Sequence, residues 1–151
     1  MEYLTKEKKK ELEDELKTLK TVRRKEIADA LLYAKSLGDL SENAEYQQAR
    51  EDQANTEERI SHLENILKNA VIMTKHHSGV VEVGTTVTVL KKGDTKEKQF
   101  TLVGSEETDS LGGKISNESP LGKSLLGKEK GDTVNVTTPK GEVKYTIKSI
   151  A

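Results

Sequence analysis

The sequence predicts a two-part protein of the α plus α+β class: an antiparallel helical coiled-coil hairpin over residues 1–74, a linker at 75–79 and a small α+β domain over 80–151. Three observations predict it. Two long segments flanking Gly38-Asp39-Leu40-Ser41-Glu42-Asn43-Ala44-Glu45-Tyr46 carry helical apolar repeats, and the pattern changes to β-branched alternation after Val80. Of the 151 residues, 32% are hydrophobic, 3% aromatic and 34% charged, which suits a solvated coiled coil joined to a modest globular unit better than one large core.

In the first segment Leu12, Leu16, Leu19, Val22, Ile27, Leu31 and Ala34 form the stripe, with one five-residue step between Val22 and Ile27. In the second, Ala49, Thr56, Ile60, Leu63, Leu67 and Ala70 keep alternating four- and three-residue steps when Gln53 is counted as a polar member. Neither helix buries its stripe alone, and the short connection makes antiparallel packing the economical solution. A first helix from Thr5 to Leu37 makes an arm roughly 45 to 50 Å long. Thr5 is placed to cap it, whereas Lys6, Lys8, Lys9 and Lys10 run against the helix dipole and read as a solvated face. Arg23, Arg24 and Lys25 form a denser basic cluster, either an exposed face or a contact to a phosphate or an acidic wall.

Gly38 ends the first helix, because glycine takes a left-handed conformation without strain. Two readings of the acids that follow stay open. Asp39 with Glu42 three residues later has the pattern of a capping box for the returning helix. Alternatively, two carboxylates one turn apart at an exposed tip hold a hard cation such as Mg2+, which takes one or two protein carboxylates and draws its other ligands from water, phosphate or a partner. That half-site needs completion elsewhere. Glu42, Tyr46 and Arg50 are spaced to share a helix face, and Lys35 sits in the last turn of the first helix, where a cation suits the dipole.

Beyond the arm, Thr74-Lys75-His76-His77-Ser78-Gly79 reads as a polar linker, and His76-His77 lacks a third ligand at metal-site spacing. Strands are expected at 85–90, 99–103, 133–137 and 143–147, all antiparallel, with turns at Lys92-Gly93-Asp94, Lys130-Gly131-Asp132 and Pro139-Lys140-Gly141. Ser119-Pro120 opens a short helix that Gly127 closes. Nothing in this domain forms a catalytic constellation. The formal net charge of -1 gives no global field for nucleic acid, the absence of cysteine suits a reducing cytoplasm, and no apolar run is long enough for a membrane span.

The tip motif, together with Tyr3-Leu4-Thr5, the Glu15-Leu16-x-x-Leu19-Lys20 register, Gln53 with Arg59-Ile60, Gly84-Thr85-x-Val87-x-Val89 and Ile115-Ser116-x-Glu118-Ser119-Pro120-Leu121-Gly122, resembles the bacterial Gre transcript-cleavage factors, of the GreA type. The resemblance covers essentially the whole chain. It implies a coiled coil that enters the secondary channel of bacterial RNA polymerase and an FKBP-like C-terminal domain that docks at the channel rim. It further implies that Asp39 and Glu42 help the polymerase's own aspartates hold a second Mg2+ and position water, so that backtracked nascent RNA is cut and a new 3′ end is left in register. Lys35, Asn43, Tyr46 and Arg50 fall at positions flanking the tip that contact RNA or polymerase. The factor alone hydrolyses nothing, and it is expected to be cytoplasmic and monomeric when free.

This chain departs from the family pattern in three places. Lys25 stands where many relatives have proline, which favours a straighter first helix. Asn55 replaces a common aromatic and leaves the nearby seam weakly apolar, and Lys8 replaces a frequent glycine. With only Phe100 and Tyr145 as aromatics, the C-terminal domain lacks the lining of a prolyl isomerase pocket. The competing readings are a channel-binding regulator without cleavage, a coiled-coil adaptor and a free-standing metal nuclease; the paired tip carboxylates favour cleavage assistance.

Overall fold

The structure, a computed structural model, describes residues 2–39, 41–74 and 78–151; Met1, Leu40 and the linker residues Lys75, His76 and His77 lie outside the described residues. The chain divides into two compact units, Glu7–Ala70 and Met1–Lys6 with Val71–Ala151. The helices begin at Lys6 and end at Asn69, so the segment expected as the arm, residues 1–74, starts and finishes in short strands. These are β1 (Glu2–Leu4) and β2 (Ala70–Ile72), paired in a two-stranded sheet.

The helical unit consists of α1 (Lys6–Thr18), a π-helical segment Leu19–Arg23, α2 (Arg24–Ser36) and α3 (Ala44–Asn69). The first helix, expected as one α-helical run from Thr5 to Leu37, therefore contains a π segment, and the cause is legible in the spacing. Leu12, Ile27 and Ala34 are buried and Leu16, Leu19 and Leu31 half-buried, whereas Val22, counted in the stripe, is 52% exposed. A continuous heptad from Leu12 through Leu16 and Leu19 reaches 26, 30 and 33, one residue short of Ile27, Leu31 and Ala34. The first helix thus carries one residue too many for its partner, and a π turn absorbs one extra residue while both flanking helices keep their faces. On α3 the seam runs unbroken through Ala49, Gln53, Thr56, Ile60 and Leu63, and then buries Ile66 more deeply than the expected Leu67.

Ion pairs line both flanks of the seam. Arg59 donates from Nε and Nη2 to the two oxygens of Glu15 at 2.8 and 3.0 Å, and Arg24 does the same to Glu57 at 2.8 and 2.7 Å. Lys20 pairs with Glu64, and Arg23 lies 3.5 Å from Asp52 and 3.3 Å from Glu26. Two members of the basic cluster are thus committed inside the arm rather than offered to a phosphate. The Arg59 hydrogen bond lowers the Glu15 pKa against the opposing effect of burial, and the Arg24 hydrogen bond lowers that of the exposed Glu57. Both carboxylates stay ionised to lower pH in the folded arm than in the unfolded chain. The stability they add is complete above the ordinary glutamate pKa of ~4.3 and is lost as pH falls through the lower folded values. Thermal melting of the helical signal should therefore hold steady from pH 7 to 5 and drop below that range; a midpoint that stays level or rises on acidification would contradict this.

The second unit is built on a five-stranded sheet of order β5-β4-β3-β7-β6, with β3 (Thr86–Lys91), β4 (Lys98–Val103), β5 (Lys114–Ser116), β6 (Thr133–Thr138) and β7 (Gly141–Ile150). Val87 and Val89 of β3, Leu102 of β4, Val134 and Val136 of β6 and Ile147 of β7 turn alternate side chains onto one face. There they pack with Val81 and with Leu125 of α4 (Pro120–Leu125). The Ser119 hydroxyl accepts the Gly122 N–H at 3.0 Å, so the cap of α4 is the expected one. The expectation of wholly antiparallel pairing is corrected at β5, which runs parallel to β4 from Thr101↔Lys114 to Val103↔Ser116. A three-residue strand after a turn has no period from which its direction is read. Among the described residues, no helix is long and apolar enough to cross a membrane.

Candidate functional site

The tip of the helical unit is built from the two helix ends inward. α2 stops at Ser36, Leu37 caps it by donating its N–H to the Ala34 carbonyl at 3.1 Å, and Gly38 follows with φ of 118°. A side chain at Gly38 would meet nothing within 4 Å, so backbone conformation, not space, calls for glycine there.

The expected capping box does not form. The N-cap of α3 is Asn43, whose Oδ1 accepts the Tyr46 N–H at 3.0 Å, so Glu42 precedes the helix instead of lying in its first turn. The Asn43 Nδ2 reaches across the hairpin and donates to the Ala34 carbonyl at 2.6 Å. One amide side chain thus ties the end of α2 to the start of α3. Asn43→Ala should cost about 1 kcal/mol at this turn, and the Tyr46 amide should exchange roughly fivefold faster with deuterium. Unchanged exchange at Tyr46 would show that the tip is held by other contacts.

Relieved of capping, Asp39 folds back on its own loop. Its Oδ1 accepts the Ser41 N–H at 3.0 Å and the Ser41 hydroxyl at 2.9 Å, an Asx turn that fixes the carboxylate. These bonds, the backbone one foremost, hold its pKa below the usual carboxylate range, so Asp39 is ionised at neutral pH. Among the described residues, Oδ2 accepts no hydrogen bond, and Glu42 is exposed with no hydrogen bond or ion pair.

The other expected site residues take their places around these acids. Lys35 is exposed in the last turn of α2. Tyr46 is half-buried in the first turn of α3, and Arg50 one turn further donates to Gln53 Oε1 at 3.1 Å. The chemistry of the donor set suits a hard cation: carboxylate oxygens, one of them held ionised and in place. It is also incomplete, since no group of three or more His, Cys, Asp or Glu able to hold a metal occurs among the described residues. What the sequence did not single out is the double role of Asn43. The short spacing of Asp39, Ser41 and Asn43, each competent to cap, hides it.

This assembly of two-helix arm, acidic tip and small sheet domain matches known proteins along its whole length. Residues 2–72 match the model of the N-terminal part of transcription elongation factors, and residues 75–151 that of the C-terminal part of the transcription elongation factors GreA/GreB. The transcription elongation factor GreA of Bacillus cytotoxicus is 50% identical over 149 residues, covering 97% of this chain and 94% of that one. GreA of Geobacillus kaustophilus is 48% identical over the same length. Among solved structures, GreA factor homolog 1 of Thermus thermophilus is 28% identical, with a TM-score of 0.44 over 99% of this chain and 97% of that one. With both halves matched and half the residues shared with curated relatives, the chain belongs to the GreA/GreB family of transcription elongation factors.

Proposed function

We propose that this protein binds bacterial RNA polymerase through the secondary channel and stimulates the polymerase's own cleavage of backtracked nascent RNA, with Asp39 and Glu42 completing a magnesium site that the polymerase begins. It is an assisting factor, not a nuclease by itself, and it works in the cytoplasm where polymerase is. The observation that carries the reading is the state of the tip: an ionised Asp39 locked by Ser41 and an uncommitted Glu42 beyond the last helical residue of α2. Two carboxylates without a third ligand bind a divalent ion weakly alone, which makes the site conditional on a partner that supplies the rest.

In that complex Asp39, its carboxylate kept in place by Ser41, and Glu42 would hold the ion together with the polymerase's own ligands. Bound magnesium neutralises charge on the phosphodiester and acidifies water. Lys35 and Arg50 are placed to meet the RNA or the polymerase, Tyr46 to pack beside them, and Asn43 to keep the turn in shape. The C-terminal domain, residues 80–151, is read as FKBP-like and docked at the channel rim; the support is its five-stranded sheet with one short helix packed on the core face.

The test is a stalled, backtracked elongation complex carrying end-labelled RNA. Adding the protein should release short 3′ fragments and restore extension from the shortened RNA, while naked RNA stays intact. Binding without fragment release would instead make the protein a channel regulator.

A further inference from the structure

In the middle of the arm apolar side chains leave the seam. Of residues 20–26 on the first helix only Arg23 is even half-buried, at the four-residue step between Leu19 and Ile27, and the rest, Val22 included, are exposed. Between Ala49 and Ile60, α3 supplies half-buried Gln53 and buried Thr56 as its seam residues. The π segment packs against α3 here, closed by the Arg24 N–H on the Leu19 carbonyl five residues back. Charge joins the helices at this level: Arg23 to Asp52, Arg24 to Glu57 and Lys20 to Glu64. Every one of these side chains keeps a third or more of its surface in solvent, so the pairs add little stability and are screened by salt. Burial resumes on both sides, with Leu12, Ile60 and Leu63 toward the base and Ile27, Ala34 and Ala49 toward the tip.

A polar layer in a coiled coil fixes register and needs no extra residue to do so. Here the step from Leu19 to Ile27 is one residue longer than an unbroken heptad, and removing that residue would leave every flanking face in place. Register therefore does not explain the surplus. Helices bend at π turns, which gather at functional sites, and stretches with few buried apolar contacts open at low cost. We infer that residues 20–26 and 53–57 form a joint in the arm, which opens locally and lets the distal half redirect Asp39 and Glu42 when polymerase receives the tip. The joint stands on the packing alone; its use rests on the tip being the end that enters the polymerase.

Two variants close the joint. Deletion of Val22 removes the surplus residue, and Arg23→Leu fills the seam without changing its length, which guards against a deletion that fails to fold. Amide hydrogen exchange is followed in the full chain. In wild type, residues 20–26 and 53–57 should show protection at least about tenfold lower than residues 28–34 and 60–66, and the gap should widen about threefold in ~1 M salt. Either variant should bring the middle to within about threefold of its flanks and raise the melting midpoint. In backtracked complexes each should then slow stimulated cleavage about fivefold or more, with polymerase affinity within roughly twofold of wild type. Wild-type protection in the middle equal to that of the flanks overturns the joint. Restored protection with undiminished cleavage overturns its use and leaves a register device. A wild type that stimulates no cleavage takes down the reading of the tip and with it the use of the joint, while the exchange contrast still decides whether the joint exists.

Discussion

Asp39→Asn and Glu42→Gln should each slow factor-stimulated cleavage of backtracked RNA by about 10²-fold or more while leaving affinity for polymerase within roughly twofold. Asn keeps the acceptor that takes the Ser41 N–H and hydroxyl, so the turn persists and only the negative charge is lost. Glu42 is exposed and makes no hydrogen bond or ion pair among the described residues, so its amide replacement breaks no polar contact of the fold. Loss of cleavage with retained binding therefore reports on chemistry at the carboxylates. The double variant should be little worse than either single one, because ligands of one ion act as a unit. Cleavage that survives both substitutions would remove the acids from the mechanism and return the tip to a purely structural role.

The largest stability effect is expected at Gly104→Ala. Gly104 has φ of −68°, which any residue adopts, so conformation does not demand glycine. Space does: a Cβ there would lie 1.9 Å from the Tyr3 carbonyl oxygen and 2.9 Å from its carbon, both backbone atoms that cannot swing aside. β1 would have to leave. With it would go the fully buried Leu4, the Met73 N–H bond to the Leu4 carbonyl at 2.9 Å, and the two 2.8 Å bonds from Thr5 to Glu107 Oε1. Losing one buried leucine and straining its surroundings costs about 3 kcal/mol, or a fall of roughly 10–20 °C in the melting midpoint of a unit this size. Differential scanning calorimetry checks it. A midpoint within 2–3 °C of wild type would mean that β1 is not held where the backbone contact implies.

Gly104 also marks where sequence stops being informative. β3, β4, β6 and β7 announce themselves because β-branched and aromatic residues recur along strands of six to ten residues. β1, β2 and β5 have three residues each, too few for any period, and only tertiary pairing makes them strands. The α4 boundaries were plain because Ser119, Pro120 and Gly127 each do a local job that few other residues do. The tip was harder for the opposite reason. Asp39, Ser41 and Asn43 are all good caps, and tertiary reach decided among them, since only Asn43 also spans to the Ala34 carbonyl. The π segment had a visible signal, the single five-residue step from Val22 to Ile27, but its consequence emerges only when α3 is laid alongside with its unbroken heptad. Placement of the two acids at the turn was legible because an apolar stripe on each side leaves them nowhere else to be.

The shared magnesium site is tested most directly by titrating Mg2+ into backtracked complexes with no factor, with wild-type protein and with Asp39→Asn. If the tip carboxylates complete the site, wild type should lower the half-saturating Mg2+ concentration for cleavage by on the order of tenfold. Asp39→Asn, bound equally well, should return it to that of polymerase alone. The same Mg2+ midpoint with and without wild-type protein, alongside faster cleavage, would contradict the account and place the factor's contribution in positioning RNA rather than metal.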